Sequence, residues 1–555
     1  MLSDQPIFGS QAMVSCAHYL ATRAGLQVLE RGGNAVDAAV AANAAMTVVY
    51  PPTCSAGGDV FMLIWEARSR RLHALNGSGR APRALTPEYF AAHSLREIPA
   101  IGPLSITVPG AVDGWFEALE RFGRLPVEEV FAPAIAYAEE GFPVSPKLAG
   151  WLERAAETVL QRWEATARVF LPGGRPPGCG EILRQPDLAR TYRLLAREGR
   201  EAFYRGPLAR TLVDYVQRCG GVLSLEDLQA HHSDWVTPLS TTYRGYEVFE
   251  FPPNSQGLTV LEMLNILEGY DLKALGYQSP ETLHLMIEAK KLAFADRDRY
   301  ISDPAFVEIP VERLLSKAYA EQLRARINPE RASFHVEVES EPERDGDTMY
   351  LCVVDSEGNA VSLIQSLFYS WGSGIVAGES GVLLHNRGSY FSLNPRHVNY
   401  LQPGKRTMHT LTPALVLRDG EPFVVMGTMG ADAQPQIHVQ LLTAVIDFGL
   451  NIQQAINAPR WRSGLLWQQG GRRQLLQGQL GAHPLGEREA SEVVALEQRF
   501  PNAVALGLEM LGHRVAVWGP WEDDMGHAQA ILITPDNHLL QGAADPRCDG
   551  LALGW

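Results

Sequence analysis

The sequence predicts an α+β protein, a four-layer αββα sandwich, and three observations carry that expectation. Helical periodicity marks residues 17–49, the stretch from about 110 to 235, and Glu281–Tyr300. The texture then changes abruptly at one peptide bond, Asp347-Thr348, where a charged, turn-prone stretch gives way to the β-branched run Met349-Tyr350-Leu351-Cys352-Val353-Val354. Beyond it, strands recur in tandem with helical runs on both sides, the pattern of packed sheets covered by helices.

Element by element, Ala17–Glu30 reads as a helix stopped by Gly32-Gly33, and Asn34 caps an alanine-rich helix running to about Val49. Its alanines leave room only for close packing against something flat. Gly57-Gly58 reads as a tight turn into the strand Val60–Trp65, since no phosphate-loop spacing surrounds it. Amphipathic helices are expected at Pro126–Gly141, Pro207–Cys219 and Glu281–Tyr300, with a surface loop over 170–180. The charged stretch from Pro329 to Asp347 has the composition of an exposed, cuttable connection. After it, strands are expected at Leu351–Val354, Ala360–Gln365, Leu415–Leu417, Phe423–Met426 and Ala530–Ile533. Hairpin turns fall at Glu357-Gly358-Asn359 and Arg418-Asp419-Gly420, and a helix at Pro435–Asp447.

Composition narrows the functional classes. Hydrophobic residues at 46% and charged residues at 20% fit a globular chain and exclude disorder. A net charge of −15 argues against a nucleic-acid or anionic-membrane partner. There is no apolar run of about 18 residues, and the N-terminus lacks the marks of a signal peptide, so a cytoplasmic protein with no membrane partner is expected. The 6 cysteines and 15 histidines show no ligand spacing, and neither a metal nor a cofactor is implied.

Thr348 carries the chemistry. A threonine hydroxyl is a poor nucleophile without an adjacent base; cutting the chain between Asp347 and Thr348 would create one, the freed α-amino group. Alone, Gly346-Asp347-Thr348 would signify only a strand start. Its surroundings are more specific. Gly32-Gly33-Asn34-Ala35-Val36-Asp37-Ala38-Ala39, Gly57-Gly58-Asp59, Val108-Pro109-Gly110, Ala132-Pro133-Ala134-Ile135, Tyr243-Arg244-Gly245-Tyr246 and Ala295-Asp296-Arg297 precede it. Gly372–Gly381, Phe448-Gly449-Leu450-Asn451, Asn457-Ala458-Pro459-Arg460 and Asp545-Pro546-Arg547 follow. In these motifs, over nearly its whole length, the chain resembles the γ-glutamyltranspeptidase (glutathione hydrolase) family of N-terminal-nucleophile hydrolases.

The resemblance implies a proenzyme that cuts itself between Asp347 and Thr348 into a large piece, 1–347, and a small piece, 348–555, folded as one intertwined αββα unit. It implies an amidohydrolase or acyltransferase that cleaves a γ-glutamyl-like amide through an acyl-enzyme on Thr348. Ser366 stands where the family has a supporting threonine. Gly430 and Ala431 stand where it has a glycine pair serving the oxyanion, the second glycine being replaced here. The partners implied are a small-molecule amide and the two pieces of the chain; homo-oligomerisation stays open.

The departures fall on the substrate. The asparagine, glutamine and aspartate with which the family holds an α-amino group are replaced by Phe368, Arg387 and Tyr390. The serine pair for the α-carboxylate is replaced by His409-Thr410, and the nearest match to the carboxylate-binding arginine is Arg80. Arg387 would repel an ammonium group but suits a carboxylate. An acyl donor with a distal acid and no α-amino group, glutaryl amide or oxamate, is therefore the alternative. Two further readings are a hydrolase of a different class with a nucleophile elbow, for which Gly378-Glu379-Ser380-Gly381-Val382 lacks the spacing, and an unprocessed relative that only binds ligand.

Overall fold

The computed structural model describes residues 3–333, 346–466 and 491–555. Most of the charged connection before Asp347 therefore lies outside the described residues. Two seven-stranded sheets dominate. The first runs in the order Leu551–Gly554, Met13–Cys16, Asp347–Val354, Ala360–Phe368, Asp59–Glu66, Arg71–Gly77, Asp234–Val236. The second runs Ile7–Gly9, Leu540–Ala544, Ala528–Ile533, Glu421–Thr428, Ala414–Arg418, Tyr246–Glu250, Leu239–Tyr243. Strands from before and after Asp347 are thus hydrogen-bonded side by side in both sheets.

Side-chain alternation along the central strand shows what each face covers. Met349, Leu351 and Val353 share an apolar cluster with Ala24, Val28, Val36 and Val40 of the first two helices. Tyr350, Cys352 and Val354 point the other way, into a cluster with Leu415, Val425 and Ile531 of the second sheet. The opposite face of that second sheet, through Val416, Val424 and Ala530, packs on the helices Gly257–Leu267, Pro280–Tyr300 and Gln434–Ile446. All fifteen residues of Ala35–Val49 are buried, so its alanines do bring a helix backbone close to a sheet.

The helix start at Asn34 is a reciprocal cap. The Asn34 side chain accepts from the Val36 and Asp37 N–H groups at 3.0 and 3.1 Å, and Asp37 Oδ2 accepts the Asn34 N–H at 2.9 Å. Asn34→Ala is expected to cost about 1–2 kcal/mol, read as a lower urea midpoint.

The expected strands after Thr348 are present but longer. The first begins at Asp347, and the second reaches Phe368. Asp419 and Gly420 have φ of 53° and 78°, the left-handed pair that a tight hairpin turn requires. Sequence patterning missed the strands Leu239–Tyr243, Tyr246–Glu250 and Leu551–Gly554. These lie at or next to sheet edges, where only part of a strand is buried and apolar alternation is weak.

Candidate active site

Thr348 lies across from Ser366 in the ladder, while Asp347 lies across from Phe368; the register shifts between the two. This irregularity at the Asp347-Thr348 bond re-aims the side chains around it. Thr348 and Ser366 are both buried. Thr348 Oγ1 donates to Ser366 Oγ at 3.2 Å, Ser366 Oγ donates to the Asp347 carbonyl at 2.9 Å, and the Phe368 N–H donates to Ser366 Oγ at 2.7 Å. One hydroxyl therefore accepts two hydrogen bonds and gives one, its full capacity. It bridges the Thr348 hydroxyl to the Asp347 carbonyl. The Ser370 hydroxyl donates to the Asp347 carboxylate.

Backbone strain gathers here. Phe368, Trp371 and Ala431 have φ of 81°, 66° and 45°, conformations that cost a non-glycine residue roughly 1–3 kcal/mol each. The left-handed backbone that Ala431 adopts is free only to glycine. Gly58 answers a different need, because a Cβ on it would lie 2.6 Å from the Ser366 carbonyl oxygen.

Gly346, Phe368 and Ala431 meet. A Cβ on Gly346 would stand 2.9 Å from the Phe368 oxygen and 3.0 Å from Ala431 Cβ. Residues just before the Asp347-Thr348 bond thus lie against the Gly430-Ala431 segment. That segment is held from behind: Gln256 Nε2 donates to the Ala431 carbonyl at 2.9 Å and to the Thr410 carbonyl at 3.0 Å. Arg297 Nη1 in turn donates to Gln256 Oε1 at 3.1 Å and to Asp432 Oδ1 at 2.9 Å. The Tyr390 hydroxyl donates to the same Asp432 oxygen at 2.8 Å.

Four of the six substrate-binding candidates assemble. Arg387 is buried, with its guanidinium 4.3 Å from the centre of the Phe368 ring and Nη1 donating to Thr410 Oγ1 at 3.2 Å. Phe368 and Tyr390 meet edge to face at 5.2 Å. Arg387 Nε and Nη2 are buried with no hydrogen-bond partner among the described residues. Burial pulls the guanidinium down to about 10, with the Asp59 carboxylate opposing, so it is cationic at neutral pH.

His409 and Arg80 are committed elsewhere. His409 Nε2 donates to Asp59 Oδ2 at 3.1 Å, and burial pushes the ring down to about 3, keeping it neutral. Asp59 pairs with Ser366 across the neighbouring ladder. Burial alone would raise its carboxyl, but the His385 and His409 rings overcome that and hold it ionised, below the usual carboxylate range. Arg80 Nη2 pairs with Asp234 at 3.2 Å, a carboxylate it shares with Arg406.

Sequence reasoning missed Gln256, Arg297, Asp432 and Asp59 as site residues. Arg297 and Asp59 stood in matched motifs without a role. Gln256 and Asp432 carried no local signal, because chain segments far apart in sequence bring them together.

A γ-glutamyltranspeptidase family model matches residues 21–555. The chain is 42% identical over 551 residues to the glutathione hydrolase-like YwrD proenzyme of Bacillus subtilis, covering 99% of this chain and 100% of that protein. It is 38% identical to the oxamate amidohydrolase proenzyme of Klebsiella pneumoniae, over 98% of this chain and 99% of that one. Among solved structures, a cephalosporin acylase from Bacillus halodurans superposes with a TM-score of 0.89 at 39% identity, covering 100% of this chain and 98% of that one. Match and coverage span the chain from its first helix to its last residue, and it therefore belongs to the γ-glutamyltranspeptidase family.

Proposed function

We propose that this protein is a self-processing amidohydrolase with Thr348 as its N-terminal nucleophile, whose acyl donors carry a distal carboxylate and lack an α-amino group. The observation that carries the substrate reading is Arg387, a buried guanidinium with two N–H directions, Nε and Nη2, unpartnered among the described residues. A buried charge needs a partner, and a carboxylate fits an arginine fork in bidentate geometry. An ammonium group would meet a like charge here. Phe368 and Tyr390 offer apolar walls for a short acyl chain, and Thr410 steadies Nη1. The name of one relative, an oxamate amidohydrolase, points the same way.

In the uncut chain Thr348 Oγ1 attacks the Asp347 carbonyl carbon. Its proton passes by way of Ser366 Oγ to the departing amide nitrogen, leaving an ester. Water then cleaves that ester, giving the Asp347 carboxylate and a free Thr348 α-amine. Departure of Gly346-Asp347 uncovers the space before Phe368 and Ala431. In turnover the α-amine takes the Thr348 hydroxyl proton during attack on the substrate amide and returns it to the leaving amine. Backbone N–H groups of Gly430 and Ala431 serve the oxyanion. Water releases the acid and restores the hydroxyl. The two sheets, each lined by its own helices, act in this reading as the αββα frame of an N-terminal-nucleophile hydrolase, with 1–347 and 348–555 as its pieces.

The reading is tested by hydrolysis of glutaryl and γ-glutamyl anilides side by side. A kcat/KM preference for the glutaryl compound of at least tenfold is expected; preference for the γ-glutamyl compound restores the family's usual substrate. Ser366→Ala removes the donor to the Asp347 carbonyl and should slow self-cleavage by about 10²-fold, the usual loss for one oxyanion donor. Ser366→Thr should cleave at near the native rate on a gel time course.

A further inference from the structure

We propose that His284, Glu288 and His513 form a transition-metal site, suited to Zn²⁺, that staples the helix Pro280–Tyr300, which precedes the Asp347-Thr348 bond, to the His513 segment, which follows it. His284 and Glu288 are four residues apart on that helix and so share a face. His513 follows the helix Asn502–Met510. All three are buried, and their ligand atoms lie within 4.8 Å of one another.

The hydrogen bonding fixes the ligand form of the first ring. His284 Nε2 lies 2.8 Å from the Asn328 carbonyl, so it carries the proton and donates. This leaves the Nδ1 lone pair facing His513 Nε2 at 2.8 Å. An imidazole that points one nitrogen into a cluster and donates the other to a backbone carbonyl has the supporting shell of a metal-bound histidine.

Binding asks for modest changes. His513 moves its proton from Nε2 to Nδ1, and the two nitrogens part from 2.8 Å to the roughly 3.3 Å of tetrahedral ligands about 2.0–2.1 Å from zinc. Glu288 Oε1 exchanges Lys291 for the metal; Lys291 Nζ already donates to the Ser333 carbonyl at 2.8 Å and keeps that partner. Ser333 Oγ continues to hold Glu288 Oε2 at 2.6 Å. Water takes the fourth position. The role is structural: His284 lies thirteen residues, about 20 Å along the helix, from Arg297. The Ala332 N–H also donates to the Leu511 carbonyl at 2.7 Å, so the staple reinforces a contact between the two sides of the cut.

The test uses the full processed protein, freed of metal by chelator and titrated with Co²⁺ and Zn²⁺. One equivalent of Co²⁺ should give the visible bands of a tetrahedral N/O site, Zn²⁺ should displace it, and Zn²⁺ should raise Tm. His513→Gln should weaken binding at least a hundredfold and abolish the Tm rise, with anilide hydrolysis unchanged. Glu288→Gln, which keeps its hydrogen-bonding shape, provides a second folded variant and should weaken binding at least tenfold. No Co²⁺ spectrum and no Tm rise in the wild type would overturn the proposal. So would equal binding by the wild type and both variants.

Discussion

Thr348→Ala is expected to leave the purified protein as one full-length band with no detectable amide hydrolysis. The hydroxyl is asked to act twice, first on the Asp347 carbonyl and then on substrate, and alanine removes the attacking atom from both steps. Loss of a covalent nucleophile costs on the order of 10⁶-fold in turnover. The fold should survive. Thr348 is buried within the strand Asp347–Val354, and the apolar ladder from Met349 to Val354 that anchors it is untouched. Thr348→Ser keeps the hydroxyl and the bond to Ser366 and should yield two bands with reduced turnover. A Thr348→Ala protein that still splits into two pieces would remove Thr348 from the mechanism.

Arg387→Met should lower kcat/KM for a glutaryl anilide by about 10²–10³-fold. The estimate follows from losing one partner of a buried charge pair, 2–5 kcal/mol, at 1.4 kcal/mol per tenfold. The effect on stability should run the other way. Among the described residues, Arg387 sits in the uncut chain with one weak hydrogen bond and two unpartnered N–H directions. A methionine of similar length removes that desolvation cost, so Tm should hold or rise. This combination separates the proposed role from a structural ion pair, whose removal lowers stability and activity together. Arg387→Lys keeps the charge without the fork and should recover part of the rate.

Much of this was legible in the sequence, and the reasons are local. The capped alanine helix after Asn34, the hairpin at Asp419-Gly420 and the strand opening at Thr348 each carry their signal within a few residues. Ser366 and Arg387 were found as replacements at positions where the chain departs from the family it resembles, and the structure brings Ser366 to Thr348 and Arg387 to Phe368, Tyr390 and Thr410. His409 and Arg80 had the right chemistry for a carboxylate, but the partners that occupy them, Asp59 and Asp234, are remote in sequence. The Gln256–Arg297–Asp432 support behind Ala431 was illegible for the same reason. Its members come from three segments that only the fold joins. The cluster of His284, Glu288 and His513 shows the limit of ligand-spacing rules, since its third member is more than two hundred residues away.

The most direct test of the account is an acid quench of the processed enzyme during turnover of equimolar glutaryl and γ-glutamyl anilides, followed by intact-mass analysis and N-terminal mapping of the small piece. The account predicts a small piece that begins at Thr348 and carries one glutaryl group on that residue. A small piece acylated at Thr348 mainly by γ-glutamate, or an acyl group found on any other residue, would contradict it.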